Sequence, residues 1–189
     1  MSEADRSEDG AARATVTRSG PLGMVLIRGD LAEVRLRYAV GQAAGVDVPD
    51  PLGATGTPER GLLWFSPDEL LLLAPRDEAA GIAAALAEKL AGLHHMAEDV
   101  SDARVAFRVE GGDRAVRETL ARLTPADVSP AAAPDGRVRR TRIGQVPAAI
   151  RFGSGRADVY VFRSVADYAE GLLSGAARGA PLGLYRADS

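Results

Sequence analysis

Two stretches of the sequence decide the fold: Met24-Val25-Leu26-Ile27-Arg28-Gly29-Asp30 and Val105-Ala106-Phe107-Arg108-Val109-Glu110-Gly111-Gly112-Asp113. Each is an apolar run of strand length that leads into glycine and aspartate. A helical stretch follows each run, and a short Val-Asp or Asp-Val segment with a proline closes it, at 46–49 and at 126–130. This self-similarity predicts that one strand–helix unit occurs twice, at about 22–95 and at about 100–180.

The later parts of the two units also correspond. The segment 64–74 aligns with 152–162, and each unit then continues with an arginine, Arg76 or Arg163, and a helix. The apolar runs at 62–65 and 70–74 flank Ser66-Pro67-Asp68-Glu69, which predicts a hairpin. The runs at 137–143, 145–152 and 157–162 predict a three-stranded antiparallel meander. Because strands and helices do not alternate strictly, the predicted class is α+β, with duplicated strand–helix halves and antiparallel sheets.

The remaining pattern predicts the domain limits and the faces of the helices. Residues 1–20 hold few large apolar side chains, so they are expected to form a disordered N-terminal tail before a single α+β domain at 21–185. Asp30 and Glu33 are expected to cap the first helix. Its predicted buried face contains Leu31, Val34 and Tyr38. The last helix is expected to start at Ser164, with Asp167 as its capping partner, and to bury Val165, Tyr168, Leu172 and Leu173.

Three other segments complete the prediction. The proline- and glycine-rich segment 45–61 is expected to be a surface loop, and 100–109 is expected to be a strand. Helical spacing of Ile82, Leu86, Leu90 and Leu93 predicts a helix before that strand. Asp113 is expected to open another helix that buries Val116, Leu120 and Leu123.

Composition limits the classes of function. The 189-residue chain carries a formal net charge of -3, so nucleic acid is not an expected partner. It contains no cysteine, which excludes disulfides and thiolate chemistry. No apolar run reaches membrane-spanning length, and the polar, acidic start does not resemble a signal peptide, so a cytoplasmic protein without a membrane partner is expected.

No catalytic, cofactor-binding or metal site is predicted from the motifs. His94 and His95 are adjacent, so they point in different directions and do not share a metal ion easily. Gly153-Ser154-Gly155 lies between two strands, which is typical of a hairpin turn and not of a nucleophile elbow. Gly111-Gly112-Asp113 precedes a helix but lacks a phosphate-binding pattern, so helix capping is favoured.

Five stretches, taken in order, resemble the gamma subunit of heterotetrameric sarcosine oxidase: 26–31, 65–73, 99–104, 139–147 and 162–168. The resemblance implies a small, non-catalytic chain without a cofactor. It implies assembly with alpha, beta and delta subunits that carry FAD, FMN, NAD and zinc. In that family sarcosine is oxidised to glycine, the formaldehyde equivalent passes to tetrahydrofolate, and O2 becomes H2O2. The family is similar in fold to the folate-binding domain of the glycine-cleavage aminomethyltransferase, which has two related halves with exchanged strands.

Four residues and one loop are expected to contact partner subunits, several of them where the two units differ. They are Trp64, Asp68, Arg163 and Tyr168, together with the loop at 45–61. Two simpler interpretations stay open: Trp64 packs in the core, and Arg163 pairs with Asp167 of its own helix. Two other functions also stay open, a free-standing folate-binding one-carbon protein or aminomethyltransferase-like enzyme, and a structural domain that self-associates.

Overall fold

Ten strands and four α-helices form within residues 13–185, which are the residues that the computed structural model describes. In the first half of the chain they are β1 (Thr15–Arg18), β2 (Leu22–Gly29), α1 (Val34–Ala44), β3 (Ala54–Gly56), β4 (Gly61–Ser66), β5 (Glu69–Pro75) and α2 (Ala79–Lys89). In the second half they are β6 (His95–Asp99), β7 (Arg104–Glu110), α3 (Asp113–Ala121), β8 (Val138–Ile143), β9 (Val146–Gly153), β10 (Arg156–Phe162) and α4 (Ala166–Ala177).

The strands form two five-stranded antiparallel sheets of matching order. The first sheet has the order β3-β4-β5-β2-β6, and the second has the order β8-β9-β10-β7-β1. Each sheet therefore takes its outermost strand from the other half of the chain: β1 precedes β2 but pairs with β7, and β6 precedes β7 but pairs with β2. The predicted α+β class with antiparallel sheets, the hairpin β4–β5 and the meander β8–β9–β10 are confirmed.

The two sheets pack face to face, and helices cover their outer faces. Buried residues of α1 and α2 pack on the first sheet around Val25, Ile27 and Leu72, and those of α3 and α4 pack on the second sheet around Phe107 and Val159. A third apolar cluster fills the space between the sheets; it consists of Met24, Leu63, Phe65, Leu71, Leu73, Ala106, Val138, Ala149 and Tyr160. Both faces of the central strands are therefore buried, which explains the nearly continuous apolar run of β5.

The register shows which positions of the two halves are equivalent. In the first sheet Leu22, Met24, Leu26 and Arg28 lie opposite Pro75, Leu73, Leu71 and Glu69. In the second sheet Arg104, Ala106, Arg108 and Glu110 lie opposite Phe162, Tyr160, Asp158 and Arg156. These side chains point between the sheets because residues at every second position share a face. Leucines of the first half are thus replaced by charged or polar residues in the second.

The prediction of a disordered N-terminal tail is wrong for the part of it that the structure describes, residues 13–20. Residues 1–12 lie outside the described residues, but Thr15–Arg18 form β1 along the edge of β7, where Val16 opposes Val109. The sequence gives little sign of this strand because its side chains are mainly polar. It forms because β7 offers unpaired backbone groups at its edge.

The prediction for the first helix is wrong in its start and in two of its three buried residues, whereas Leu31 is buried as expected, in the turn before the helix. Asp30 caps a turn by accepting a hydrogen bond from the amide of Ala32, and the helix begins at Val34 with Glu33 as its cap. Because the helix starts three residues later than predicted, a different face meets the core. Its buried residues are Leu36, Ala39, Val40 and Ala44. Val34 and Tyr38, which were expected in the core, are 77% and 70% exposed.

The last helix and two connecting segments also differ from expectation. A 3-10 turn occupies Arg163–Val165, α4 begins at Ala166 without a side-chain cap, and Tyr168 is 49% exposed, not buried. The strand expected at 100–109 begins only at Arg104, because a turn at 100–103 separates it from β6. The segment 45–61 is not only loop, since it contains β3 paired with β4.

Within residues 13–185 no helix is long and apolar enough to cross a membrane.

Candidate functional site

The two exchanged connections cross at a cavity, which we call the crossing cavity. It has a volume of about 370 Å³ and lies between the connectors β1–β2 and β6–β7. Its lining includes Arg18, Arg76, Arg104, Arg163, Ser101 and Asp102. The arginines Arg76 and Arg163, which follow the last strand of each half, occupy equivalent positions, so the cavity lies where the two halves meet.

Hydrogen bonds fix the β6–β7 connector that forms one wall of the crossing cavity. Ser101 Oγ accepts a hydrogen bond from the amide of Met24 at 2.9 Å, and the Ser101 hydroxyl donates to Asp99 Oδ1. Burial raises the pKa of Asp99, but the hydrogen bonds from Ser101 and the charge of Arg76 outweigh it and hold this pKa below its usual range. Asp99 therefore remains a carboxylate that orders the connector.

Most of the arginines that line the cavity already have partners. Arg76 Nη2 donates to Asp102 Oδ2 at 2.9 Å, and Arg76 Nη1 lies 3.5 Å from Asp99. Arg163 Nε donates to the carbonyl of Asp102 at 2.6 Å. Arg18 Nη1 donates to Asp167 Oδ1 at 3.4 Å. The predicted alternative that Arg163 pairs with Asp167 is therefore wrong, since Asp167 pairs with Arg18.

Arg104 is the exception among these arginines. Its guanidinium carbon lies 4.5 Å from the ring centre of Phe162 and 5.4 Å from that of Phe65. Among residues 13–185 it forms no side-chain hydrogen bond and no ion pair, although the charge of Glu69 acts on it from a greater distance. Burial lowers the pKa of Arg104, and the charge of Arg140 adds to this while Glu69 opposes it. Arg104 is thus a partly desolvated cation that is held by aromatic stacking.

A second cavity, of about 390 Å³, lies on the other side of the β1–β2 connector and is lined by Arg108, Asp158 and Tyr160. Asp158 Oδ1 accepts from Arg108 Nε at 3.2 Å, and Asp158 Oδ2 accepts from Arg156 Nε at 3.3 Å. The hydroxyl of Tyr160 is fully buried and has no hydrogen-bond partner among the described residues. Burial, followed by the charge of Asp158, raises the pKa of Tyr160 above its usual range, so this hydroxyl stays neutral.

The four predicted contact residues do not form one surface. Trp64 is half-buried and packs against the cluster between the first sheet and its helices. Asp68, in the β4–β5 turn, accepts hydrogen bonds from Ser66 Oγ at 2.5 Å and from Arg28 Nη2 at 2.6 Å. Those bonds hold the pKa of the Asp68 carboxyl below its usual range.

The other two predicted contact residues lie near α4. Arg163 lines the crossing cavity, and the Tyr168 hydroxyl lies over the backbone of Gly144, in the β8–β9 turn. Gly144 has φ of 54° and could not take a side chain without meeting Tyr168 and Leu172. Tyr168 therefore has a structural role in covering this turn, besides its exposed surface.

One exposed surface was missed because its residues were assigned to the core. Val34, Tyr38 and Gly41 follow each other at helical spacing along α1 and, with the segment 45–48, line an open groove of about 840 Å³. The sequence carried a signal for it: a helix that starts at Val34 has its strictly apolar face at Leu36, Ala39 and Val40, which leaves Val34 and Tyr38 outside.

Residues 13–185 contain no group of three or more histidine, aspartate or glutamate side chains that could hold a metal ion. His95 Nδ1 lies 3.0 Å from the carbonyl of Leu93. The His95 side chain also lines a cavity of about 600 Å³ together with His94 and Asp68.

Solved structures of known proteins share this fold. The chain is similar to heterotetrameric sarcosine oxidase from Corynebacterium sp. U-96, in complex with pyrrole 2-carboxylate, with a TM-score of 0.76 and 22% identity over 90% of this chain and 89% of that chain. It is also similar to the glycine cleavage system aminomethyltransferase T from Bartonella henselae, with a TM-score of 0.64 and 14% identity over 90% of this chain. The match spans 48% of that protein, about half its length.

A third similar structure is the regulatory subunit of aspartate kinase from Thermus thermophilus, with a TM-score of 0.52 and 16% identity over 86% of this chain and 97% of that one. At these identities the likenesses show the fold alone. No curated protein sequence matches the chain. The sequence model of one family, described as sarcosine oxidase, gamma subunit family, matches residues 28–178, which is most of the chain. The family predicted from the sequence is confirmed, and the chain belongs to the sarcosine oxidase gamma subunit family.

Proposed function

We propose that the chain is the non-catalytic gamma subunit of a heterotetrameric sarcosine oxidase and that it acts in assembly of the complex. The observation that carries this proposal is the family match over residues 28–178. The fold shared with a heterotetrameric sarcosine oxidase over 90% of the chain supports it. The reaction proposed for the whole complex is oxidation of sarcosine to glycine, with transfer of the formaldehyde equivalent to tetrahydrofolate and reduction of O2 to H2O2.

The proposed partners are the alpha, beta and delta subunits, which would carry FAD, FMN, NAD and zinc, with the complex in the cytoplasm. A non-catalytic role for this chain agrees with the state of its buried charges. The buried carboxylate of Asp158 is paired with Arg108 and Arg156, and that of Glu118 with Arg114 at 2.9 Å. Carboxylates that are neutralised in this way support the fold and are not prepared to exchange protons.

The exposed face of α1 is the proposed contact with another subunit of this complex. Val34 and Tyr38 are 77% and 70% exposed although both are large and apolar or aromatic, and tyrosine is enriched at subunit contacts. We include Trp64, Asp68, Arg163 and Tyr168 as further candidate contacts, and of these Trp64 and Asp68 lie where the halves differ. The α1 face is the better candidate, since residues 13–185 leave it uncovered.

Co-purification tests this function. A tagged full-length chain is co-expressed with the neighbouring genes, and flavin absorbance is measured in the captured fraction. The proposal expects a flavin-containing subunit to be captured, and capture without any flavoprotein would overturn it. Val34→Asp is expected to reduce capture about tenfold or more, since it buries a charge in an apolar contact. Ala84→Asp, at an exposed position of α2, is the matched control and should leave capture unchanged.

The alternative of a free-standing folate-binding protein rests on fold likeness, which does not determine function. Calorimetry with tetrahydrofolate separates it from the proposal. Heat of tetrahydrofolate binding to the isolated chain would favour the alternative. If no heat is measured, the subunit role is favoured.

A further inference from the structure

Among the described residues that line the crossing cavity, arginines outnumber carboxylates. Four arginines and one aspartate, Asp102, are the charged residues that line it. Asp102 is shared, because Arg76 Nη2 donates to Oδ2 at 2.9 Å and Arg163 Nη2 lies 3.7 Å from Oδ1. Asp99 lies beside Arg76 and Asp167 beside Arg18, so these carboxylates neutralise part of the charge, and Arg104 is the lining arginine without a carboxylate partner within residues 13–185.

The guanidinium N–H groups of Arg104 are available to a ligand in this cavity. Its guanidinium stacks on the rings of Phe162 and Phe65, which fixes its plane without using any of its N–H groups. Arg140 provides a comparison, because it stacks on the same Phe65 ring at 5.5 Å but lies 3.7 Å from the Glu69 carboxylate. Arg104 makes no ion pair of this kind within residues 13–185, and the charge of Glu69 acts on it only from a greater distance.

The fold does not require an arginine at this position. Leu22 is the equivalent residue of the first half, since it lies opposite Pro75 in the same register that places Arg104 opposite Phe162. Leu22 also lines the crossing cavity. One half thus contributes an apolar side chain and the other contributes an oriented, partly buried cation, at some cost in desolvation. A specific function explains this cost better than folding does.

We propose that the crossing cavity binds a carboxylate group, with Arg104 as its main donor. The planar guanidinium fork matches the two oxygens of a carboxylate. A cavity of about 370 Å³ accommodates a small organic acid or one acidic side chain. Both sources present the same chemistry to Arg104. Acetate binding is tested on this chain alone, so it does not depend on the proposed function, whereas an acidic side chain of a partner as the source does rest on it.

A titration of the full-length chain with sodium acetate tests the proposal. The side-chain Nε–H resonance of Arg104 is observed by NMR and assigned by its loss in Arg104→Met. Sodium chloride at equal ionic strength is the reference. Acetate is expected to shift this resonance in a saturable way, with a Kd on the order of millimolar for so small a ligand. An unchanged resonance up to roughly 50 mM acetate would overturn the proposal.

Two variants separate binding from folding. Arg104→Met keeps the length of the side chain and is expected to weaken acetate binding by about 10- to 150-fold, measured by calorimetry at constant ionic strength. Arg140→Met, which removes the other arginine on Phe65, is the matched control and should bind acetate as the unchanged chain does. Acetate binding that survives Arg104→Met would also overturn the proposal. If Arg104→Met does not fold, Arg104→Lys retains the charge but not the fork, and it should weaken binding while remaining folded.

The co-expressed complex then identifies the source of the carboxylate. If the complex still binds acetate and Arg104→Met removes that binding, the ligand is a free acid. If the complex no longer binds acetate and Arg104→Met releases a partner subunit, the ligand is an acidic side chain of that partner. Either result supports a carboxylate site.

Discussion

Asp102 joins the two halves of the chain, because its carboxylate lies between the equivalent arginines Arg76 and Arg163. Arg76 Nη2 donates to one oxygen at 2.9 Å, and Arg163 Nη2 lies 3.7 Å from the other. Arg163 is also held by the carbonyl of Asp102, at 2.6 Å from its Nε. The repeat thus places its two arginines at one point, and the connector between β6 and β7 supplies the single carboxylate that they share.

Asp102→Asn is expected to change stability little and to increase anion binding. The Asp102 side chain is 82% exposed, so solvent screens both ion pairs and the free energy of unfolding should fall by less than about 1 kcal/mol. Removing the shared carboxylate leaves Arg76 and Arg163 without their common partner, so acetate should bind more tightly. Urea unfolding and calorimetry measure the two effects.

Asp68→Asn is the control for this prediction, since Asp68 also pairs with an arginine, Arg28, but lies outside the crossing cavity. It should leave acetate binding unchanged. Weaker acetate binding by Asp102→Asn would contradict the expected role of the shared carboxylate.

Tyr160→Phe should leave the free energy of unfolding unchanged or raise it. The Tyr160 hydroxyl is buried between the sheets without a partner among the described residues, and burial of an unpaired hydroxyl costs about 1–3 kcal/mol. The ring remains, so no packing is lost. Denaturant unfolding of Tyr160→Phe and of the surface control Tyr38→Phe, at a 70% exposed position, tests this. A loss above about 1 kcal/mol for Tyr160→Phe alone would mean that the hydroxyl makes a stabilising hydrogen bond.

Stability should fall at alkaline pH, and Tyr160 should contribute to the fall. Burial raises the pKa of Tyr160 in the folded chain, whereas a tyrosine in the unfolded chain ionises near pH ~10. Above that pH the folded state therefore binds more protons than the unfolded state. The contribution of Tyr160 to the free energy of unfolding is fully present at lower pH and is lost as the pH rises. The slope from one such group reaches at most about 1.4 kcal/mol per pH unit.

The comparison of the unchanged chain with Tyr160→Phe isolates this contribution. Urea unfolding is measured between about pH 9 and about pH 11. The unchanged chain should lose stability more steeply than the variant, which lacks the ionisable hydroxyl. Parallel curves would show that the Tyr160 pKa is the same in the folded and unfolded states.

Removal of β1 should destabilise the second sheet. A chain that begins at residue 19 lacks β1, which leaves the edge of β7 unpaired and removes Ala14 and Val16 from the core. We expect a loss of about 2 kcal/mol or more relative to a chain that begins at residue 13, because buried apolar surface and several backbone hydrogen bonds disappear. Thermal unfolding compares the two chains, and equal stability would refute a structural role for β1.

Sequence patterns predicted those elements whose signal is local. The apolar runs of β2, β4, β5 and β7 and the glycine turns of the meander β8–β9–β10 gave strands close to the observed ones. The repeat predicted two similar halves, and the sheets do have matching strand orders. The first helix was misplaced because Asp30 satisfies a turn amide two residues on, a local hydrogen bond that competes with helix initiation.

Most residues of the candidate site could not be predicted from sequence patterns. Arg163 was singled out as a contact residue, but Arg104 was not, because one arginine in a strand is ordinarily solvated at a sheet surface. Tyr160 and Asp158 were not predicted either. Their alternation with Ala157, Val159 and Val161 is typical of a strand with one solvated face, whereas β10 is covered on both sides.

The sequence by itself determined the family, the α+β class and the duplicated halves, since these depend on apolar periodicity and turn residues within each half. Only the tertiary structure decided that β1 and β6 exchange between the halves, because strand pairing over such distances leaves no local pattern. That exchange makes the two connectors cross. The crossing brings Arg76, Arg104 and Arg163 to one cavity beside Asp102, although Arg76 and Arg163 follow two different strands and Arg104 begins a third.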